Sequence, residues 1–388
     1  MFSILIVCRG NWDTLAEMPY VLKKGGGDKV DVYCSDQSWL ICNSYYDTWY
    51  KSALEDQDFV QQLIELVNRN HYDWVIVGDE PAVELLNRTI KSDDDFLKIM
   101  PLTKLEWRSV LSSKIGLARF CESNSIAAPG YQIYNQESDG EKIKSNLKFP
   151  VVPKIDFSWG GEGMVVWDTP DAFDKAIPTI PVNKNILIQE YIIGKEHPVE
   201  ALFFKGKLLM YQTSEITKYS GNKFSITTQR NFFDCPDIKE RLVQLGEKLG
   251  LNGFVSIAYI FDSRDGSYNL IEVDTRPNSW TAAGRFLSPD LLNAIRHITG
   301  KNYSEPLAQE GIKASKKNVA LFYKDLRRTY WDKDLKTAAR WVFNINGYWR
   351  YIPFYDFTLF RKATSSIVKE IYTVYKDKYF SKKVQKSA

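Results

Sequence analysis

Apolar positions along the chain fall into runs of two periods, and the runs alternate. Residues 2–8 form a continuous apolar stretch, Asp31 to Cys34 a shorter one, and Asp73 to Val77 a third, just before Gly78-Asp79-Glu80; each predicts a buried strand. Between the last two, Phe59 to Val67 carries apolar residues at helical spacing. Strands alternating with helices predict a small parallel α/β domain at the N-terminus. Further on, Ser112 or Ser113 can cap a helix over 113–124 whose apolar face is Ile115, Leu117, Ala118 and Cys121, and whose first turn presents Lys114. Strands are expected at 149–154, ending in Lys154, at 186 onward to a turn near Glu196, at 254–261, and at the apolar run that closes on Glu272 and Asp274.

With 388 residues, 44% of them hydrophobic, the chain can bury a core divided over two or three domains. No apolar run approaches the roughly 20 residues that span a bilayer, and the first residues lack a basic leader, so a cytoplasmic protein is expected. Five scattered cysteines, an odd number, imply reduced packing residues and no disulfide framework. Charge divides the chain unevenly. From residue 301 onward there are 19 Lys and Arg against 8 Asp and Glu, which leaves 32 against 40 for residues 1–300. The acidic body, and a basic tail without a binding motif, argue against nucleic acid as a partner. The tail is also rich in aromatics, among them Trp331, Trp341, Tyr348, Trp349 and Tyr351. It is expected to be a helical subdomain covering an apolar flank; a peripheral contact with an anionic membrane or with a partner protein is the other reading.

The chemistry-bearing residues cluster at strand ends. Side chains two apart on a strand share a face, so Glu272, Asp274 and Arg276 should project together: two carboxylates for Mg²⁺, and a guanidinium for charge developing on a phosphoryl or acyl phosphate. Lys154 ends its strand just before Ser158-Trp159-Gly160-Gly161-Glu162-Gly163, where glycines let backbone amides approach a phosphate. Glu190 can accept from an adenine amino group, the backbone at Tyr191 and Ile192 can meet the ring edge, and Glu196 can bond ribose hydroxyls. Arg230 is a further cation able to reach a phosphate or a substrate carboxylate. Asn278 and Trp280 follow the acidic strand and are candidates for an acceptor pocket; His197 lies beside Glu196. No dinucleotide fingerprint, no G-x-x-x-x-G-K-[ST] loop and no Ser-His-Asp arrangement is present.

In this order, Lys114, Lys154 with Ser158 to Gly163, Gln189-Glu190-Tyr191-Ile192 with Gly194 and Glu196, and Glu272-x-Asp274-x-Arg276 resemble the ATP-grasp superfamily, in particular its carboxylate–amine ligases. The resemblance covers roughly residues 100–300. It implies a pre-grasp α/β domain over 1–95, an α+β grasp fold over 96–300 whose two subdomains clasp ATP, and a C-terminal basic aromatic extension over 301–388. It further implies that Lys114, Lys154 and the 158–163 loop (Ser158, Gly160, Gly161, Gly163) meet the phosphates, that Glu190, Tyr191, Ile192 and Glu196 hold adenine and ribose, that Glu272 and Asp274 ligate Mg²⁺ or Mn²⁺, and that Arg276 steadies an acyl phosphate. The reaction implied is ATP-dependent carbon–nitrogen bond formation between a small-molecule carboxylate and an amine. The alternatives are a thiol or other nucleophile in place of the amine, or a nucleotide-binding scaffold without turnover. Two departures stand out: Asp274 replaces the usual asparagine, and Tyr259 is taken to stand where relatives supply a further metal ligand.

Overall fold

The computed structural model describes residues 1–136, 139–158, 164–180, 185–221, 224–288, 290–301 and 317–384, with side chains described as far as residue 373. The first sheet is parallel, in the order β3-β2-β1-β4, with β1 at Ser3–Val7, β2 at Lys29–Cys34, β3 at Thr48–Lys51 and β4 at Trp74–Val77. Alternate residues of β1 point to opposite faces and both faces are covered, which is why the run is apolar throughout. Ile4 and Ile6 pack with Leu15, Met18 and Leu22, while Leu5 and Val7 pack with Phe59, Leu63 and Leu86. The helix between β3 and β4 is longer than its apolar spacing alone implied, Asp56–Asn70. Helix Glu80–Thr89 follows β4, with Asp79 as its N-cap accepting from the Ala82 amide.

The second sheet is small and antiparallel, β5-β7-β6, with β5 at Tyr131–Tyr134, β6 at Val151–Ile155 and β7 at Ile186–Glu190. One face, through Val151, Ile186 and Ile188, packs on Ile143 and Phe173 from two helices. The other presents Leu187 to Ile115 and Ala118 of helix Lys114–Ser123. That helix can begin where it does only because residue 116 is glycine: a Cβ there would lie 1.7 Å from the Ser109 carbonyl oxygen.

The third sheet has six antiparallel strands in the order β12-β11-β8-β9-β10-β13. They are β8 at Lys195–Phe204, β9 at Lys207–Tyr219, β10 at Thr227–Phe233, β11 at Gly253–Asp262, β12 at Ser267–Asp274 and β13 at Lys317–Ala320. Val199, Ala201, Phe203, Val255, Ile257 and Tyr259 line its core face with Leu242, Leu245 and Leu249 of helix Lys239–Leu249. Gly194, just ahead of β8, allows the close approach of Phe261, whose carbonyl oxygen would sit 2.3 Å from a Cβ at that position.

The last quarter of the chain is not separate from this sheet. β13 pairs with β10, and helices Phe322–Trp331, Leu335–Val342 and Phe357–Val384 follow. Trp341, Tyr348 and Tyr351 are buried with Phe232, Trp280 and Leu287. Asp325 anchors the packing: its carboxylate accepts from Thr228 Oγ1, Gln229 Nε2, Trp341 Nε1 and Arg328 Nε, all within 3.0 Å. No helix among the described residues is long and apolar enough to cross a membrane.

Candidate active site

The acidic strand owes its orientation to one extra residue. In the pairing of β12 with β11, Glu272 lies opposite Ala258 but Leu270 lies opposite Tyr259, so Ile271 is a β-bulge. Strict alternation would put Leu270, Glu272 and Asp274 on one face. The bulge divides them. Tyr268, Leu270 and Val273 face the core with Tyr259, while Glu272 and Asp274 turn to the opposite face. Tyr259 is therefore in the core and not, as expected, across from the acids; the residue opposite Glu272 is Ala258. The bulged residue's carbonyl accepts from Lys154 Nζ at 3.2 Å, joining the small sheet to the acidic strand.

The same face of the large sheet gathers the other charged residues. Ser256 lies opposite both Asp274 and Glu200, and two residues further along β8 in each step come Pro198 and Glu196. Glu196 is thus on a strand facing the cleft, not in the turn expected for it. His197, its neighbour, points to the core among Phe233, Phe261 and Tyr268 and leaves the site. Arg230 on β10 is buried, donates to Glu200 Oε1 at 3.0 Å and lies 4.6 Å from the Trp280 ring centroid. Asn278 caps helix Ser279–Ala283 and also donates to Glu200 and Ser256; Trp280 is core.

Arg276 lies beyond the strand end, yet its guanidinium returns to the acids. Its Nη2 donates to Asp274 Oδ2 at 2.8 Å and its Nε to Glu80 Oε2 at 2.5 Å. Glu80 opens the helix that follows β4 of the N-terminal sheet, and sequence reading missed it. The signal was Gly78-Asp79-Glu80 closing a parallel strand, the end at which open α/β sheets place their ligands. On the opposite wall Lys114 Nζ donates to the Ser158 carbonyl. Gly160, Gly161 and Gly163 lie outside the described residues.

Around the adenine candidates the register separates neighbours. Lys154 is opposite Leu187, and Val152 opposite Gln189, so Gln189 shares the face of Lys154. Glu190 points the other way, its Oε1 accepting from the Lys148 amide at 2.9 Å. The Tyr191 amide is taken by the Pro150 carbonyl, and Ile192 follows in the link to β8.

These groups perturb one another across the cleft. Burial pushes the Lys154 ammonium down to about 8, with Lys114 adding to the effect and Glu272 opposing it. Burial raises Glu196, as does the charge of Glu272, against Arg230. Asp274 is pushed well up by burial and by Glu272 and Glu80, despite Arg276. For Glu80, burial raises the carboxyl but Arg276 and Lys114 more than reverse it. A buried ammonium at Lys154 beside the raised carboxyls of Glu196 and Asp274 is a strained set of charges that an ordered group of phosphates and a divalent cation would relieve. Among the described residues no three His, Cys, Asp or Glu side chains group around a metal position. Two carboxylates alone suit Mg²⁺, which keeps waters and takes its remaining oxygens from phosphates.

Similarity to known proteins agrees with this geometry. A family model described as an ATP-grasp domain matches residues 111–279. The carbamoyl phosphate synthase large chain of Clostridium botulinum is 27% identical over 282 residues, covering 66% of this chain and 24% of that protein. That of Agathobacter rectalis is 28% identical over 229 residues, 54% of this chain and 20% of its own length. The chain thus spans about a quarter or less of the length of these relatives. Among solved structures, N5-carboxyaminoimidazole synthetase from Staphylococcus aureus, complexed with ADP, superposes with a TM-score of 0.62 at 15% identity over 86% of each chain. L-amino acid ligase from Bacillus licheniformis gives 0.57 at 15% identity, over 77% of this chain and 74% of that one. The family model thus identifies residues 111–279, which carry most of the cleft, as matching an ATP-grasp domain, and the structural likenesses show the fold that the chain shares with these proteins.

Proposed function

We propose that the protein is an ATP-dependent ligase that activates a small-molecule carboxylate as an acyl phosphate and joins it to an amine. The observation that carries the reading is the placement of Lys154, Glu272, Asp274 and Arg276 around one cleft between the two antiparallel sheets, each within electrostatic reach of the next. Lys114 and Lys154 would hold the nucleotide phosphates, aided by Ser158 and by the loop with Gly160, Gly161 and Gly163. Gln189, on the Lys154 face, is a better-aimed adenine partner than Glu190, which would act through the edge backbone at Tyr191 and Ile192; Glu196 faces the same cleft for the ribose. Mg²⁺, or Mn²⁺, held by Glu272 and Asp274 would offset phosphate charge.

The chain's own groups supply the rest. A carboxylate is a poor electrophile at neutral pH, and attack on the γ-phosphate gives it a leaving group. Arg276, fixed between Glu80 and Asp274, stands to balance the charge on the acyl phosphate. Arg230 serves by holding Glu200, and through it Asn278, in place. In water-poor surroundings the acyl phosphate then awaits the amine, which displaces phosphate.

One observation favours a second reading, a nucleotide-binding protein without turnover: Ala258, opposite Glu272, offers no oxygen. The two part in one assay. Purified protein with ATP, Mg²⁺ and panels of carboxylates with amines or thiols should release ADP and phosphate only when a competent pair is present. ATP binding with no ADP from any pair would favour the second reading, and a thiol-only response would replace the amine.

A further inference from the structure

A cavity beside the Arg276 turn is unused by the reading above. The chain leaves β12 and enters helix Ser279–Ala283, where Ser279 Oγ accepts from Lys324 Nζ at 2.8 Å. Lys324, only 5% exposed, also lies 3.0 Å from Asp13 Oδ2. N-terminal loop, grasp helix and C-terminal extension thus meet at one ammonium. They line an inner chamber of about 50 Å³ that shares Asp13, Trp39 and Tyr323 with an outer vestibule of about 280 Å³. The vestibule by itself comes close to the lower end of small-molecule pockets, roughly 300 Å³.

The walls limit what can enter. Each lining cation comes with an acid, Lys324 with Asp13 and Arg327 with Glu370 at 3.0 Å, while the lining acid Glu17 is held by Arg285 from behind the wall. A lining so balanced disfavours a multiply charged anion and suits a ligand carrying one charge of each sign, which can exchange into an existing pair. Trp39 and Tyr323 stack at 5.1 Å with an interplanar angle of 26°, giving a flat apolar wall shared by the two cavities. Thr14 Oγ1 lies buried in the inner chamber with no hydrogen-bond partner, a group a ligand would satisfy. The cavity is also tied to the cleft. Asp79 accepts from the Arg9 and Gly10 amides of the loop leading to Asp13 and Thr14, while its neighbour Glu80 holds Arg276.

We infer that this two-part cavity binds the amine-bearing substrate as a zwitterion, an amino acid with an apolar or aromatic side chain, its carboxylate on Lys324, its ammonium toward Asp13, Thr14 Oγ1 bonded to its polar end and its side chain along Trp39 and Tyr323. The fate of the bound amine rests on the ligase reading; the binding does not. The basic aromatic extension is then part of the substrate site and not only a cover for the sheet.

The test is calorimetric titration of the full-length protein with L-phenylalanine and L-leucine, with phenethylamine and 3-phenylpropionate as half-ligands, and separately with ATP and Mg²⁺. The zwitterions should bind at least tenfold more tightly than either half-ligand. Lys324→Met should weaken them tenfold or more and Thr14→Val threefold or more, both leaving ATP binding unchanged. Thr14→Val removes no existing bond, so its thermal midpoint should hold or rise, and it decides the matter if Lys324→Met does not fold. Zwitterion binding unaltered by Thr14→Val, half-ligands equal to zwitterions, or no binding of any amino acid would overturn the assignment. Loss of ATP binding by the wild-type protein, with zwitterion binding intact, would instead sink the ligase reading alone.

Discussion

Arg276 Nε donates to Glu80 Oε2 at 2.5 Å although 196 residues separate the two in the chain, and both side chains are buried. Breaking such a pair from one side leaves an uncompensated buried charge, at a cost of about 3–5 kcal/mol. Glu80→Gln should therefore lower the urea midpoint and also free Arg276 to swing toward Asp274 alone. Because the Glu80 carboxyl is held below its ordinary value, its contribution is present above the unfolded carboxyl range and is lost as pH falls through the folded one. The wild-type protein should lose stability toward acid more steeply than Glu80→Gln, and equal acid limbs would contradict the pairing.

Lys154 gives trends of opposite sign. With its amine near 8 in the fold against an ordinary 10.5, the charged form is disfavoured by burial, so stability without nucleotide should rise as pH climbs from about 8 toward 10.5. Over the same window ATP affinity should fall, since the ammonium that meets phosphate is being lost. Thermal midpoints and titrations from pH 7 to 10 check both trends, and Lys154→Met should flatten each of them.

Glu272→Gln separates chemistry from folding. The side chain is exposed, so stability should change by no more than about 0.5 kcal/mol. Removal of a metal-holding carboxylate should nevertheless cut ADP release by at least about a hundredfold, roughly 2.7 kcal/mol of barrier. A variant with near-normal turnover would remove Glu272 from the metal site.

At the far edge of the sheet, Asp325→Ala would strand Arg328, Trp341 Nε1 and Gln229 Nε2 in a buried setting. A loss of about 3–5 kcal/mol is expected, read as a drop in the urea midpoint. A change below about 1 kcal/mol would mean that the C-terminal helices pack without this anchor.

The cysteines offer a simple chemical check. Burial raises the thiols of Cys34 and Cys121 to about 12 and pushes Cys8 well up, with Asp79 adding to the effect. At pH 8 these should resist alkylation in the folded protein, as thiolate is the reactive form. Peptide mapping after brief iodoacetamide treatment should find label, if anywhere, at the half-buried Cys42.

What could be seen in the sequence was whatever periodicity and strand ends reveal. The apolar run of β1, the helix opening at Lys114 and the strand ending near Lys154 follow from spacing alone, as do the two acids on one face. Three features escaped for separate reasons. The bulge at Ile271 has no signature in composition, since isoleucine fits a regular strand as well, and without it Tyr259 and not Ala258 is read as facing the acids. Gln189 and Glu190 are adjacent letters, and only the pairing partner decides which one faces the lysine. Glu80 becomes part of the site through tertiary packing between distant segments, which no local window contains. The tail's aromatics were visible as a cluster, but β13, with only Val319 and Ala320 apolar among its four residues, carries too little pattern to register as a strand.

Since Ile271 is what sends Leu270 inward and the acids outward, the cleft depends on how many residues β12 holds as well as on which ones. Exchange of one side chain for another leaves that count intact. Loss of a single codon at the bulge would swing either the carboxylates into the hydrocarbon interior or the leucine into the cleft, so variation within this strand should proceed by replacement and almost never by change of length.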